Sequence, residues 1–318
     1  MPSGRSNSNI TMAQLLVVLG ATGQQGISVI NHVLSDPILS SKYSIRGVTR
    51  DASKPAAQDL MMKSLDIVSA DFDDPASIYA ALRGAHTVFA MTCTIYDEHA
   101  KTREEDQGKT IADAAVAVGA RYLIWSTATH AGNTSGGKYS VPAFDVRWDV
   151  EQYIRGLPIQ SAFVAPATFM QNLRDMMAPQ PCEDGTYAIA NIHSPQTRFP
   201  WLDVVADLGK FVGAILEQPE KYDGKVLGAS SCIHSLVEVA QILSKVSGRT
   251  VKYVVMPESK FRSFCPPDGA DSIVNMFLFI QDYGYYGVET EKVVEWSIQQ
   301  VTGRLITIEE FAKTLHFA

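Results

Sequence analysis

The sequence predicts an α/β protein, a doubly wound parallel sheet followed by a smaller C-terminal α/β domain. Three observations carry this. Short β-rich runs alternate with helical patterns through the first half of the 318 residues. A glycine-rich turn, "GATGQQG" at 20–26, joins the first apolar run to the first helical one. After about residue 166 the rhythm loosens into Pro-, Gly- and polar-rich stretches with later helices.

Taken in order, "QLLVVLG" (14–20) is a buried strand and "GISVINHVLSD" (26–36) a helix. "SIRGVTR" (44–50) is a second strand, followed by the helix "KPAAQDLMMKSL" (54–65). "DIVSADFDD" (66–74) is a third strand with a polar mouth, and "PASIYAALRGA" (75–85) a helix with Pro75 in its first turn. "HTVFAMT" (86–92), "RYLIWSTAT" (121–129) and "IQSAFVAPATF" (159–169) are strands four to six. The helices between them are "EDQGKTIADAAVAVGA" (105–120) and "FDVRWDVEQYIRGL" (144–157). Residues 177–201 hold a short hairpin, and a helix over 203–219 starts at Asp203, a residue suited to capping. A strand at 224–231 follows, then helices around one more strand, "VKYVVM" (251–256). The expected organisation is a flexible tail (1–10), a dinucleotide domain (11–165 with 203–231) and a smaller domain (166–202 with 232–318).

Composition narrows the function. With 46% apolar and 19% charged residues the chain has material for a substantial core. A net charge of −7 supplies no global field for nucleic acid or an anionic membrane, so neither is an expected partner. Cys93, Cys182, Cys232 and Cys265 form no CxxC pair, which argues against a metal site or disulfide framework. The polar first ten residues carry no signal-peptide core, and no apolar stretch has membrane length. A cytoplasmic protein is expected.

Gly20, Gly23 and Gly26 stand where a dinucleotide loop belongs. The first takes the tight turn, the second lets backbone approach a pyrophosphate, and the third allows close helix packing. The helix start then offers N–H donors and a positive dipole end. The spacing is GxxGxxG rather than GxGxxG, and the competing reading is a bare structural turn. The second strand selects the nucleotide. It ends in Arg50, with Lys54 beyond, where an NAD site usually has an acid for the ribose 2′-OH. A guanidinium there can fork onto a 2′-phosphate, which points to NADP. Asp51 could instead pair with Arg50. In "ADFDD" (70–74), Asp71 can accept from adenine and Phe72 lie on its ring, unless the segment is only a capped turn. Thr92 closes strand four beside the expected ribose.

These pieces, "VVLGATGQQG", "GVTRD", "ADFDD", "FDVRWDVEQYIR" and "APATFMQNL", resemble the NmrA-like family of atypical short-chain dehydrogenase/reductases across nearly the whole chain. The resemblance implies a Rossmann domain preferring NADP(H) and a smaller domain forming a cleft. It matches Gly20, Thr22, Gly23, Gln24, Gln25 and Gly26 to the pyrophosphate loop, Arg50 and Lys54 to the 2′-phosphate, and Asp71 and Phe72 to the adenine wall. Some members are redox sensors acting through a protein partner; related members reduce small metabolites.

Short-chain dehydrogenases carry a Ser after strand five and a Tyr-xxx-Lys on the next helix. Ser126 and Thr127 follow strand five, but Tyr139 is succeeded four residues later by Ala143, so that pair is absent. Relatives place a lysine where this chain has Arg147, which keeps the charge but does not readily give up a proton. Arg147 is read either as a clamp on cofactor or substrate, or as a surface residue paired with Asp145 or Asp149. His130, after "STAT", is expected to face the nicotinamide, with proton donation or loop capping as its alternatives. Tyr139, in a Gly-Gly-Lys loop, either swings in as donor or is merely exposed. "PATFMQN" should line the nicotinamide, with Phe169 and Met170 as walls and Asn172 as a polar contact, although such clusters are more often core. Phe277, Phe279, Tyr283, Tyr285 and Tyr286 floor a pocket or, more in keeping with their size, pack the second domain. The expectation is an NADP(H)-dependent reductase of a small, aromatic or polycyclic substrate; its rival is a sensor with a protein partner.

Overall fold

A computed structural model describes residues 13–315; the tail expected at 1–10 lies outside them. Strands β1 (Gln14–Leu19), β2 (Tyr43–Thr49), β3 (Asp66–Ser69), β4 (Thr87–Ala90), β5 (Tyr122–Ser126) and β6 (Gln160–Pro166) arrive in the predicted order. β7 (Thr168–Phe169), β8 (Gln180–Pro181), β9 (Tyr187–Asn191), β10 (Arg198–Leu202), β11 (Val226–Ala229), β12 (Cys232–Ser235) and β13 (Val251–Val255) follow. The main sheet has seven strands in the order β11-β6-β5-β4-β1-β2-β3, every pair parallel. The chain reverses direction across the sheet beside β1, so a crevice opens at the carboxyl ends of β1 and β4. The fold is a Rossmann-type α/β sheet.

Helices α1 (Gln24–Ser35), α2 (Pro37–Lys42), α3 (Pro55–Met62), α4 (Pro75–Leu82), α5 (Ala100–Ala117), α6 (Ala131–Thr134), α7 (Pro142–Arg155) and α8 (Val204–Glu217) wrap this sheet. α1 and α8 cover one face, α4, α5 and α7 the other. Leu16, Val17, Val18 and Leu19 of β1 are therefore all fully buried, which is why the strand reads as one apolar run rather than alternating. α1 and α8 approach closely because α8 is glycine where they cross: a Cβ on Gly209 would lie 2.3 Å from the Ser28 carbonyl. Asp74 and Asp203 cap α4 and α8, accepting from the N–H of Ala76 and Ala206 at 3.1 Å each.

The later part carries a second core under two three-stranded sheets, β12-β10-β7 and β13-β9-β8. α9 (Pro219–Tyr222) returns to β6 of the main sheet, while α10 (Leu236–Ser247), α11 (Glu258–Arg262) and α12 (Ala270–Tyr283) stand around the second core. α13 (Thr290–Ile298) packs on β11 of the main sheet and α14 (Ile308–Ala312) on α10. The expected hairpin is the antiparallel pair β8–β9. Three expectations are corrected. The strand read over 159–169 breaks after Pro166, because the chain leaves the main sheet and Thr168 and Phe169 pair with β10. The helix read from 105 begins at Ala100. β12 had no reading as a strand; its mixed "CIHS" forms one only by pairing with β10. Among the described residues no helix is long and apolar enough to cross a membrane.

Candidate active site

Gly20, Thr22, Gly23, Arg50, Asp71, Phe72 and Thr92, all expected at the cofactor, line one cleft at the carboxyl ends of β1, β2 and β4. The loop beneath it is set by glycine. Gly20 has φ +68°, where other residues are strained, and its carbonyl accepts from the Gly23 N–H at 2.8 Å. A Cβ on Gly26 would come within 2.3 Å of that same carbonyl, so the helix start closes on the loop only without one. No side chain caps the first turn of α1, which leaves its N–H groups for an incoming anion. Thr22 and Thr49 hydroxyls stand 3.3 Å apart across the mouth.

The two charges at the tip of β2 behave differently. Asp51 turns its carboxylate back into its own loop, where Oδ1 accepts from the Ser53 hydroxyl at 2.6 Å and the Ser53 N–H at 2.9 Å. Those bonds, the hydroxyl's first, hold its carboxyl below the usual range. Arg50 is exposed on the cleft and forms no ion pair with any described residue. The competing Arg50–Asp51 pair is thus not formed. Lys54 is the exposed N-cap residue of α3, outside the cleft lining. Asp71 Oδ1 accepts from the Asp73 N–H at 3.0 Å, an arrangement that shapes the turn while Phe72 lies beside it.

At the ends of β4 and β5 the hydroxyls have partners of their own. Ser126 Oγ donates to Gln25 Oε1 at 2.8 Å, both side chains buried, which ties the start of α1 to β5. Gln24, one residue earlier, is exposed. Thr127 Oγ1 donates to the buried Glu151 at 2.7 Å. Thr92 Oγ1 donates at 2.7 Å to Glu104 Oε1, and Thr94 Oγ1 at 2.7 Å to its Oε2. Arg147 completes this cluster, with Nε 3.1 Å from Glu104 Oε1 and Nη2 donating to Thr94 at 3.2 Å. Arg147 is therefore paired with neither Asp145 nor Asp149. Glu104, with only 3% of its side chain exposed, is a charge held by one guanidinium and two hydroxyls. Reading the helix from 105 left this residue outside. Had it been started one turn earlier, Glu104 would have aligned with the buried face of Gly108, Ile111 and Ala115.

The remaining candidates lie elsewhere. His130 caps α6, its Nδ1 accepting from the Asn133 N–H at 3.0 Å and standing 3.1 Å from Asp145 Oδ1. Its ring meets Trp148 edge-on at 5.1 Å in a separate pocket, which shares no lining residue with the cleft. Tyr139 is not a swinging loop residue. It is 8% exposed, and its hydroxyl donates at 2.6 Å to Asp282 Oδ2, the atom that Lys138 also holds. Asn172 lies on the short turn Met170–Arg174, where its carbonyl accepts from Asp175 and Met177. Met170 is fully buried in the second core, whereas Phe169 is half-buried. Phe277 and Phe279 pack that core as their size suggested, and the Tyr285 and Tyr286 hydroxyls donate to Pro166 and Ala165 carbonyls at 3.2 and 2.8 Å.

Comparison with known proteins agrees with this architecture. Residues 12–312 match the NmrA-like family. A curated relative, the NmrA-like family domain-containing oxidoreductase FrzB of a Cladobotryum species, is 28% identical over 86% of this chain and 85% of its own. NmrA, a negative transcriptional regulator solved in complex with NADP and with NAD, superposes with a TM-score of 0.79 at 21% identity, covering 95% of both chains. The Citrobacter triphenylmethane reductase complexed with NADP(H) gives 0.74 at 21% identity, over 94% of this chain and 98% of that one. With the family matched from the first strand to the last helix, the chain belongs to the NmrA-like family.

Proposed function

We propose that the chain is an NADP(H)-dependent reductase of a small organic molecule, aromatic or polycyclic and drawn from secondary metabolism. One observation carries the choice of cofactor: Arg50 stands unpaired on the cleft while Asp51 is turned into its own loop by Ser53. The tip of β2 thus offers a guanidinium to a 2′-phosphate and no free acid to a ribose 2′-OH. The rest of the cleft fits a dinucleotide. Gly26 has no room for a side chain, and the uncapped start of α1 suits a pyrophosphate. Arg50 would hold the 2′-phosphate, with Lys54 an exposed charge beyond the cleft lining, and Asp71 and Phe72 the adenine. When bound, the cofactor supplies a hydride. Residues 11–165 with 203–231 form the dinucleotide domain in this reading, and 166–202 with 232–318 the substrate domain of a cytoplasmic enzyme. An aromatic substrate accords with the name of triphenylmethane reductase. It also accords with the apolar side chain of Ile95 in the cleft wall, which is 51% exposed.

Replacing Arg50 by Ala should weaken NADPH by about 10–100-fold, the weight of a charged hydrogen-bonded contact, and leave NADH within about twofold. Equal loss for both, read by fluorescence titration, overturns the 2′-phosphate assignment. A second reading has its own support. The hydroxyls of Ser126, Thr127 and Tyr139 are all bonded within the protein, and NmrA is a regulator. In that reading the chain senses NADP(H) and acts through a protein partner. Binding of NADPH without consumption against carbonyls, enones and imines, with a partner protein co-purifying, would select it.

A further inference from the structure

Reduction of a carbonyl or imine needs a proton as well as a hydride, and the residues considered so far leave the donor unassigned. Tyr96 stands out on three counts. It follows Ile95 of the cleft wall, on the loop that Arg147 reaches through Thr94. Every other buried or half-buried tyrosine hydroxyl bonds a backbone or side-chain group. Tyr79 is 40% exposed on α4, which leaves Tyr96 as the half-buried tyrosine whose hydroxyl has no hydrogen-bond partner among the described residues.

The third count is the ring's seat. Gly269, at the start of α12, is where the late segment meets it: a Cβ there would come within 2.8 Å of both Cγ and Cδ1 of Tyr96. The Arg147 guanidinium is the cation in its surroundings, with Glu104, Cys93 and Cys265 as the other ionisable groups. Burial lifts the phenol above its ordinary value and Arg147 draws it back, so the proton stays on the oxygen at neutrality.

We propose that Tyr96 is the proton donor of the reduction, seated by Gly269 and accompanied by Arg147, in place of the absent Tyr-xxx-Lys. The inference rests on the reductase reading. The substrate's C=O or C=N carbon gains the hydride with its electron pair, and the π pair moves onto the heteroatom. The Tyr96 O–H bond breaks as a new O–H or N–H bond forms. The tyrosinate, stabilised by the nearby charge of Arg147, recovers its proton from water, the hydride and its electron pair being what a bound NADPH would supply. The substrates this selects are carbonyls and imines, whose heteroatom must be protonated.

Two substitutions in the full chain test it, with phenanthrenequinone and dihydroisoquinoline as probes. Tyr96→Phe removes only the hydroxyl, and Gly269→Ala displaces the ring from a backbone (φ −107°) that alanine adopts freely. Both should lower kcat by about 100-fold or more, the usual weight of a general acid, while the NADPH Kd stays within about twofold. Tyr96→Phe should leave Tm unchanged, and Gly269→Ala should lower it modestly as the ring is pushed aside. Full turnover in Tyr96→Phe overturns the assignment while leaving the reductase reading in place. A wild-type protein that binds NADPH but reduces neither probe removes the donor and the reductase reading together. Failure of the wild type to bind NADPH at all removes the dinucleotide reading beneath both.

Discussion

The two ends of the crevice are built by different means. Under β1 and β2 the walls are backbone and near neighbours in sequence. Gly20 and Gly26 are six residues apart on one loop, and Asp51 is held by Ser53 two residues on. Beyond β4 the walls are side chains brought from afar: Glu104 meets Arg147 across 43 positions, and Tyr96 meets Gly269 on a helix start late in the chain. The first end is rigid because local geometry leaves it no alternative. The second depends on a buried charge pair remaining matched, so it can be broken from a distance.

That contrast is open to attack. The largest effect is expected at Arg147→Met, which leaves Glu104 buried without its cation. Removing one partner of a buried pair costs about 3–5 kcal/mol, and Arg147 is a quarter exposed, so about 3 kcal/mol is expected by urea denaturation. A loss below about 1 kcal/mol would put the pair among ordinary surface bridges and remove the distinction.

Acid should strike the late part of the molecule in the same way. His193 is fully buried between Phe199, Phe277 and Tyr253, its Nε2 has no partner, and burial lowers its pKa to about 4. The unfolded chain, with an ordinary value of 6.5, binds a proton that the folded one refuses. This site's contribution to stability is therefore complete above pH 6.5 and falls as the pH drops towards 4, by about 3 kcal/mol. His193→Gln should flatten that part of the Tm–pH profile; an unchanged profile would clear the histidine.

The smallest stability effect should come from the cofactor end, where function rather than folding suffers. Gly26→Ala sets a Cβ 2.3 Å from the Gly20 carbonyl, where only backbone could give way, and should cost about 1–3 kcal/mol of stability, the usual range for overpacking. Dinucleotide affinity should nonetheless fall by more than tenfold if, as proposed, that loop seats the pyrophosphate. Retained affinity would show that the loop is not the seat.

This difference also explains what could be read in advance. The glycine loop, the charge at Arg50 and the acid of "ADFDD" were visible because each lies at the end of a strand whose position follows from periodicity. Seven residues expected there do meet in one cleft. Gln25 and Ser126, read as cofactor contacts, turn out to bond each other, and no spacing rule connects positions 101 apart. Tyr139 looked mobile beside two glycines, yet Asp282 holds it from 143 positions away.

By itself the sequence determined the succession of strands in the first half, the glycine loop between β1 and α1, and the sign of the charge at the tip of β2. Those follow from hydrophobic period, from glycine's freedom at φ +68° and from the identity of a strand-end residue, all of them local. Only the tertiary structure decided which hydroxyls are committed and which is left open, because commitment is a matter of partners. Glu104 is silent until β4, α5 and α7 converge on it, and Tyr96 differs from the other half-buried tyrosines in that its oxygen has no hydrogen-bond partner among the described residues. A short-range pattern cannot encode that, since hydrogen bonds between distant side chains are set by how the elements pack and not by how the residues are spaced.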